Sequence, residues 1–227
     1  MPTRIPVHIL ACSVLFLLVS ASCDRRPSVT ALSVTDSLAI LSKNIAYRTE
    51  RDAFLRSSPD SPFMRDTVIE FHSTNWYPVN VRYRGLSRLH RYAQPEPILI
   101  KGTQGEDRRQ LRYGCFEFPV PGPEGAPVTI KLNVYKFTPY DSLRYALYPH
   151  LLNVWFTDET TGKETYDVGR YVDVGDEHPD REHLYEIDLN MAYNPYCAYN
   201  DTYSCAIPRR EDHVSIAIQA GEKKYHQ

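Results

Sequence analysis

The sequence predicts a mostly β domain, an antiparallel barrel or sandwich with one helix at its N-terminal end. Three observations predict it. From about residue 68 onward, short runs rich in β-branched and aromatic residues alternate with Gly, Pro and Asn punctuation. No helical pattern of about 10–15 residues falls between successive runs, which argues against parallel βαβ units. One stretch alone, 36–56, keeps helical spacing.

The elements follow in chain order. Residues 1–22 read as a signal peptide: Arg4 is the positive start, and the uncharged run 9–19 is too short to span a bilayer core, which takes roughly 20 residues. Ser20, Ala21 and Ser22 before Cys23 resemble the bacterial lipobox, with Ser20 where that pattern prefers Leu. Cys23 is the expected lipidation site, and 23–35 the tether. Cleavage by an ordinary signal peptidase after Ser22 is the alternative. The expected location is the cell envelope, on the extracytoplasmic face, with the membrane as a partner through the lipid. Residues 36–227 then form a single domain.

In that domain, Asp36 can cap the helix, and Leu38, Leu41, Ile45 and Phe54 supply its apolar spacing. Pro59 and Pro62 end it, because each disfavours helix in the residue before it. Strands are expected at 81–89, 98–102, 110–118, 128–136, 153–157, 171–174, 184–188 and 214–219, the last alternating Val214, Ile216 and Ile218 with Ser215, Ala217 and Gln219. The strings at 102–105 and 119–127 read as loops between antiparallel neighbours. Seventeen Tyr against 8 Phe and 2 Trp suit half-buried β positions, where the ring packs and the hydroxyl stays bonded.

Charge narrows the function. Arg4 is the leader's only charge, so the rest of the chain holds one fewer than the 26 Lys and Arg of the whole, and all 28 Asp and Glu. That balance gives no reason to expect nucleic acid. Cys12 leaves with the leader, so Cys115, Cys197 and Cys205 remain beside Cys23. Cys115, in a strand with Leu111 and Tyr113, reads as a core thiol.

Four segments in order, ERDAFLRSSPDSPF at 50–63, FHSTNWYPVN at 71–80, FTDETTGKETYDVGRYVDV at 156–174 and DLNMAYNPYCAYNDTYSCAIP at 188–208, resemble the bacterial and archaeal domain of unknown function family 1684. The resemblance runs from about residue 36 to the C-terminus, and the last two segments are its specific part. Asp167 and Val168 stand where many members have Gly-Ala or Gly-Gly, and Ala206 where Pro is usual. The resemblance implies a fold and a motif set but no activity.

Those two motifs hold the residues that could carry chemistry. Gly162 suits a turn needing positive φ, with Lys163 and Glu164 entering the next strand. Glu164, Tyr166 and Arg170 could face one pocket, where Arg170 would clamp a carboxylate or phosphate through two parallel hydrogen bonds, or they could pair structurally. Asn194, Tyr196, Tyr199 and Asn200 are the candidate lining from the second motif. Cys197 and Cys205 could close a disulfide worth about 2–3 kcal/mol for so short a loop, line a binding site, or supply a metal ligand or nucleophile. No zinc spacing, EF-hand, P-loop or nucleophile elbow occurs, so no cofactor or metal is expected. His72 reads as a structural histidine, and the acidic stretch 173–180 as a solvated loop. Three functions remain open: a non-enzymatic lipoprotein binding a small molecule or a protein through a Tyr-rich polar pocket, a hydrolase using the same pocket, and a purely structural module.

Overall fold

The computed structural model describes residues 34–64 and 69–226. The expected signal peptide, Cys23 and most of the tether lie outside the described residues. Ser33–Gln227 make one compact unit.

Helix α1 spans Val34–Ser57. Its docked face is polar. Asn44, Arg48, Arg51 and Leu55 recur at helical spacing, and the first three bond to Asp188 (2.8 Å), the Asn190 carbonyl (3.3 Å) and the Asn194 carbonyl (2.9 Å). The apolar residues expected to dock the helix, Leu38, Leu41 and Ile45, are exposed instead. Burying so many hydrogen-bonding side chains against chain segments with free carbonyls outweighed hydrophobic periodicity here. No helix among the described residues is long and apolar enough to cross a membrane.

Eight strands follow: β1 (Arg84–Arg88), β2 (His90–Lys101), β3 (Asp107–Pro121), β4 (Pro127–Phe137), β5 (Leu151–Asp158), β6 (Arg170–Asp176), β7 (Leu184–Asp188) and β8 (His213–Val214), with the short helix α2 (Ser142–Leu147) before β5. Strands β2 to β6 form an antiparallel sheet in sequence order, β8 adds to β5 in parallel, and β1 pairs with β7 in a separate antiparallel ribbon. The sheets are not closed into a barrel; the ribbon and the C-terminal tail cover one face of the large sheet, as in a sandwich. Between them lies the main core, with Phe116, Phe118, Leu132, Val134, Leu152, Phe156, Ile187, Leu189 and Ile218 all buried. At Gly85 the ribbon approaches so closely that a Cβ there would sit 2.2 Å from the Phe118 ring.

A bulge in β3 between Arg112 and Gly114 exchanges its faces. Beyond it, Phe116, Phe118 and Val120 point into the core. Before it, Arg108 and Gln110 share the opposite face with Phe137, paired with Gln110, and with Asn153 and Trp155. The bulge also parts Cys115 from Leu111 and Tyr113; the Cys115 thiol is buried, beside Tyr92 and Lys131. The edge strand β2 carries Pro95 within its own register shift and Pro97 just beyond it, opposite Leu111; on an edge, missing ladder donors do least harm.

Two expected strand features are corrected. Lys163 and Glu164 do not enter a strand: with Thr165 they donate backbone hydrogen bonds to the Thr160 carbonyl at 3.0–3.1 Å, closing a compact turn with Gly162 at φ +78°. The chain resumes as β6 only after Gly169, where φ is +114° and a Cβ would sit 2.6 Å from the Phe156 carbonyl oxygen, so a side chain is excluded. The segment 214–219 is not a strand beyond Val214. Its backbone is taken by a buried ion pair instead. Arg170, fully buried, meets Asp158 at 2.6 Å and donates to the carbonyls of Ile218 (3.0 Å) and Ala220. Asp158 in turn accepts from the Thr160 amide (2.7 Å), the Thr160 hydroxyl (2.6 Å) and the Ile218 amide (3.4 Å).

Removing one partner of such a pair strands a buried charge, at a cost of about 3–5 kcal/mol. Arg170→Met should lower the urea midpoint accordingly, while the double variant Arg170→Met with Asp158→Leu should recover part of the loss; a single variant as stable as wild type would contradict the assignment. At the far edge, Glu177 is partly buried, which disfavours its charge, but hydrogen bonds from Lys136 (2.9 Å), Tyr113 (2.7 Å) and Arg91 (2.7 Å) prevail and hold its pKa at about 2. The native state therefore binds fewer protons here than the unfolded chain below pH ~4.5. Its contribution is complete above that pH and is lost as pH falls toward 2. The stability difference between wild type and Glu177→Gln, followed by urea titrations, should shrink over that window and not at higher pH.

Candidate functional site

The face of the large sheet opposite the main core carries a stack of aromatic rings. Tyr135 from β4 lies flat on Trp155 from β5, centroids 4.6 Å apart at 9°, and Trp155 meets Tyr171 from β6 at 5.7 Å. Strand β5 has apolar side chains toward both faces, Leu152, Val154 and Phe156 to the core and Trp155 to this one, as a strand covered on both sides requires.

The cover is the segment 193–206. Its attachment begins with two backbone hydrogen bonds between Tyr171 and Tyr193, each 2.9 Å, and ends with Ile207 donating to the Lys101 carbonyl at 2.9 Å. Arg51 of α1 holds it from behind: the guanidinium lies 4.4 Å from the Tyr193 ring, donates to the Asn194 carbonyl and the Tyr199 hydroxyl, and faces Glu222 at 3.5 Å. Burial works against the Arg51 charge, but Tyr199 and Glu222 outweigh it and raise its pKa. Glu222 is itself buried, which pushes its pKa up, and it accepts from the Tyr199 hydroxyl at 2.7 Å and the Asn194 amide at 2.9 Å.

Between sheet and cover lies a cleft of about 540 Å³. Gln110, Asn153 and Trp155 are on its floor, Tyr171, Tyr193, Tyr196 and Tyr203 wall it, and Arg51, Arg108 and Arg144 reach it from three elements. Arg108 is aimed by hydrogen bonds to Glu106 and the Ser204 carbonyl, both 2.7 Å, and Arg144 by Asp141 at 2.7 Å. Two buried polar atoms on side chains that line the cleft, Trp155 Nε1 and Gln110 Oε1, have no hydrogen-bond partner among the described residues. A buried donor and acceptor left open usually cost stability, which makes them the exceptions that ask for a function.

At one end of the cover sit two cysteines. Cys205 lines the cleft and Cys197 lies behind it, half-buried. Both are free thiols here. The Cys197 amide donates to Cys205 Sγ at 3.2 Å, and the Tyr166 hydroxyl bridges the Cys197 carbonyl (3.2 Å) and sulfur (3.6 Å). The Cys205 thiol, Tyr166 and Thr103 donate toward Cys197, overcome its partial burial and lower its pKa to about 7; the same contact, with burial, pushes Cys205 up.

The residues singled out from sequence do not converge on one hollow. Tyr196 walls the cleft, stacked on Phe54 at 6.5 Å. Tyr166 and Cys197 meet, so the two motifs do touch. Arg170 is sealed in its ion pair, which leaves no guanidinium to clamp a ligand. Asn194 donates to the Lys223 carbonyl (2.8 Å), Tyr199 is spent on Glu222 and Arg51, and Asn200 bonds the Pro62 carbonyl (2.8 Å) and caps Thr202. Glu164 is exposed, 3.9 Å from Lys223. These five fasten loops. Trp155, Gln110, Arg108 and Arg51 carry no sequence signature, because they come from three elements, β5, β3 and α1, and no motif joins them. The one available signal was β5, whose Leu152, Val154 and Phe156 alternate with an apolar Trp155 on the other face. Among the described residues no three His, Cys, Asp or Glu gather as metal ligands.

Fold and cleft together define a small β-sandwich protein with one walled polar-aromatic cleft. The family model described as "Protein of unknown function (DUF1684)" matches residues 69–223, and the chain belongs to that family. Among solved structures, it is similar to an uncharacterized protein from gene locus rrnAC0354 of Haloarcula marismortui, determined by solution NMR: 26% identity, a TM-score of 0.58, and 85% of this chain and 98% of that one covered. No curated protein matches the chain.

Arg51 ties the cover to the helix. Arg51→Met leaves Glu222 buried without its cation and should cost about 3 kcal/mol in urea unfolding. Arg51→Met with Glu222→Gln should be less damaged than the single variant; equal damage would mean the two do not act as a pair.

Proposed function

We propose that this chain is a ligand-binding protein of the cell envelope, tethered to the membrane through lipid on Cys23, and that its cleft takes a small planar polar molecule bearing an anionic group. The observation that carries this reading is the pair of buried, unpartnered polar atoms, Trp155 Nε1 and Gln110 Oε1, on two side chains that line the floor of a walled cleft. Pockets that hold small organic molecules pair aromatic walls with a few placed polar groups, and this cleft has both. A planar ligand would slide between tyrosine rings at modest entropic cost. Its acceptor would meet the indole N–H and its donor the Gln110 oxygen, while Arg108 and Arg144 would face the charge with guanidinium hydrogens not used by Glu106 and Asp141. Of the residues expected to line a Tyr-rich pocket, Tyr196 is the one this cleft shares.

Trp155 makes the reading measurable. The chain has two tryptophans, and Trp76 lies elsewhere, against Tyr47 and Arg48. In a Trp76→Phe background, fluorescence reports Trp155 alone. Titration with benzoate, 4-hydroxybenzoate and adenosine monophosphate as probes should give saturable quenching with at least one. Gln110→Leu should weaken that probe roughly tenfold, the worth of one hydrogen bond of about 1.4 kcal/mol. No saturable change with any of the three, from a variant that melts as wild type does, would defeat the proposal.

A further inference from the structure

The two cysteines of the cover are arranged for chemistry that ligand binding does not use. A pair that served only to lock a loop would be joined; a pair that served only to fill space would be surrounded by apolar side chains, as inert buried thiols are. Here the thiols touch without being bonded, and Cys197 is ringed by hydroxyls: Tyr166 donates to its sulfur, and Thr103 stands beside it, accepting from the Cys205 amide at 3.1 Å. Its own carbonyl and amide are held by Tyr166 and Cys205, so the sulfur is fixed relative to its neighbour. Cys197 is half-buried, and Cys205 borders the cleft.

We propose that Cys197 and Cys205 are a redox-active dithiol, in which Cys197 reduces a small hydroperoxide and Cys205 resolves the product. The Cys197 thiolate attacks the terminal oxygen of the hydroperoxide. A sulfur–oxygen bond forms, the oxygen–oxygen bond breaks, and the departing alkoxide or hydroxide takes a proton from solvent, relayed by the Tyr166 or Thr103 hydroxyl. Sulfur has then lost two electrons to the peroxide and stands as a sulfenic acid. Cys205 attacks that sulfur, the disulfide forms, and the hydroxyl leaves with the Cys205 proton as water. One hydroperoxide is consumed per chain, yielding an alcohol or water, one further water and one disulfide. The charge state suits these roles: the pair's first proton leaves near pH 7, from Cys197, because Cys205 and the hydroxyls stabilise its thiolate, and Cys205 keeps its proton until it is needed.

Cys115 is the internal control. It is buried, burial raises its pKa, and the described residues place no second cysteine beside it. One equivalent of hydrogen peroxide added to the purified reduced protein should remove two thiols and two hydrogens, with peptide mapping joining Cys197 to Cys205 and leaving Cys115 reduced. Cys205→Ser should stop at a sulfenic acid on Cys197 that dimedone traps, and Cys197→Ser should not react. Iodoacetamide at pH 7 should modify Cys197 on the order of tenfold faster than an ordinary thiol, whose pKa is about 8.5. Tyr166→Phe, which keeps the ring, should move that pH profile upward. Melting curves certify that each variant is folded. Cys197 reacting no faster than Cys115, or oxidation of wild type that ends without the Cys197–Cys205 bond, overturns the proposal.

Discussion

The buried pair of Arg170 and Asp158 is the contact on which the rest of the molecule depends. Two unit charges in a fully buried setting are costly unless hydrogen bonds satisfy most of their remaining donors and acceptors, and here only Arg170 Nε is left without a partner among the described residues. Backbone groups do most of that here. Arg170 takes the carbonyls of Ile218 and Ala220, and Asp158 takes the amides of Thr160 and Ile218. The pair thereby closes the 158–165 turn and pulls the C-terminal tail across the main core. Ile218 and Ala220 bury their side chains there, and Glu222 arrives under the cover. A strand ladder would have satisfied the same backbone; the ion pair did so first, which is why the alternating residues after Val214 are not a strand.

The second constraint is the bulge in β3. One extra residue at position 113 lets a single strand serve two layers, with phenylalanines beneath the ribbon at one end and Arg108 and Gln110 in the cleft at the other. Without it the period-two alternation would carry through, and the polar side chains before the bulge would share a face with the phenylalanines after it. The cleft is thus a consequence of register, and its polar floor is as firmly placed as the core is.

The fold was legible where the chain punctuates itself. Gly162, Pro59 and the runs around 130 and 155 announce a turn, a helix end and two strands by local sterics alone. The site was legible only in part, because neighbours in sequence diverge in role. Tyr196 walls the cleft while Tyr199, three residues on, is buried on Glu222. Arg170 carries the strongest motif and is structural, since a guanidinium and its distant acceptor, Asp158, look the same in sequence whether sealed or open. Helix α1 misled for a related reason. Its apolar spacing is real, but the free carbonyls at 190 and 194 and the Asp188 carboxylate attract Asn44, Arg48 and Arg51, and no reading of the helix alone contains those partners.

What the cover does follows from how it is held. Arg51 and Glu222 fix its middle, Tyr171 and Tyr193 hinge one end to β6, and the Thr103–Cys205 contacts pin the other to the loop after β2. Cys197 and Cys205 stand between the fixed middle and that pinned end, on either side of a short loop whose tip carries Tyr203 into the cleft wall. Joining the two sulfurs would replace an amide-to-sulfur hydrogen bond by a covalent bond across that loop. It would therefore stiffen the stretch from which Tyr203 and Ser204 project, while the floor, set by the bulge and the aromatic stack, would keep its shape. Binding on the floor and oxidation in the wall, as proposed, would be coupled through those two side chains and through Cys205, which also lines the cleft.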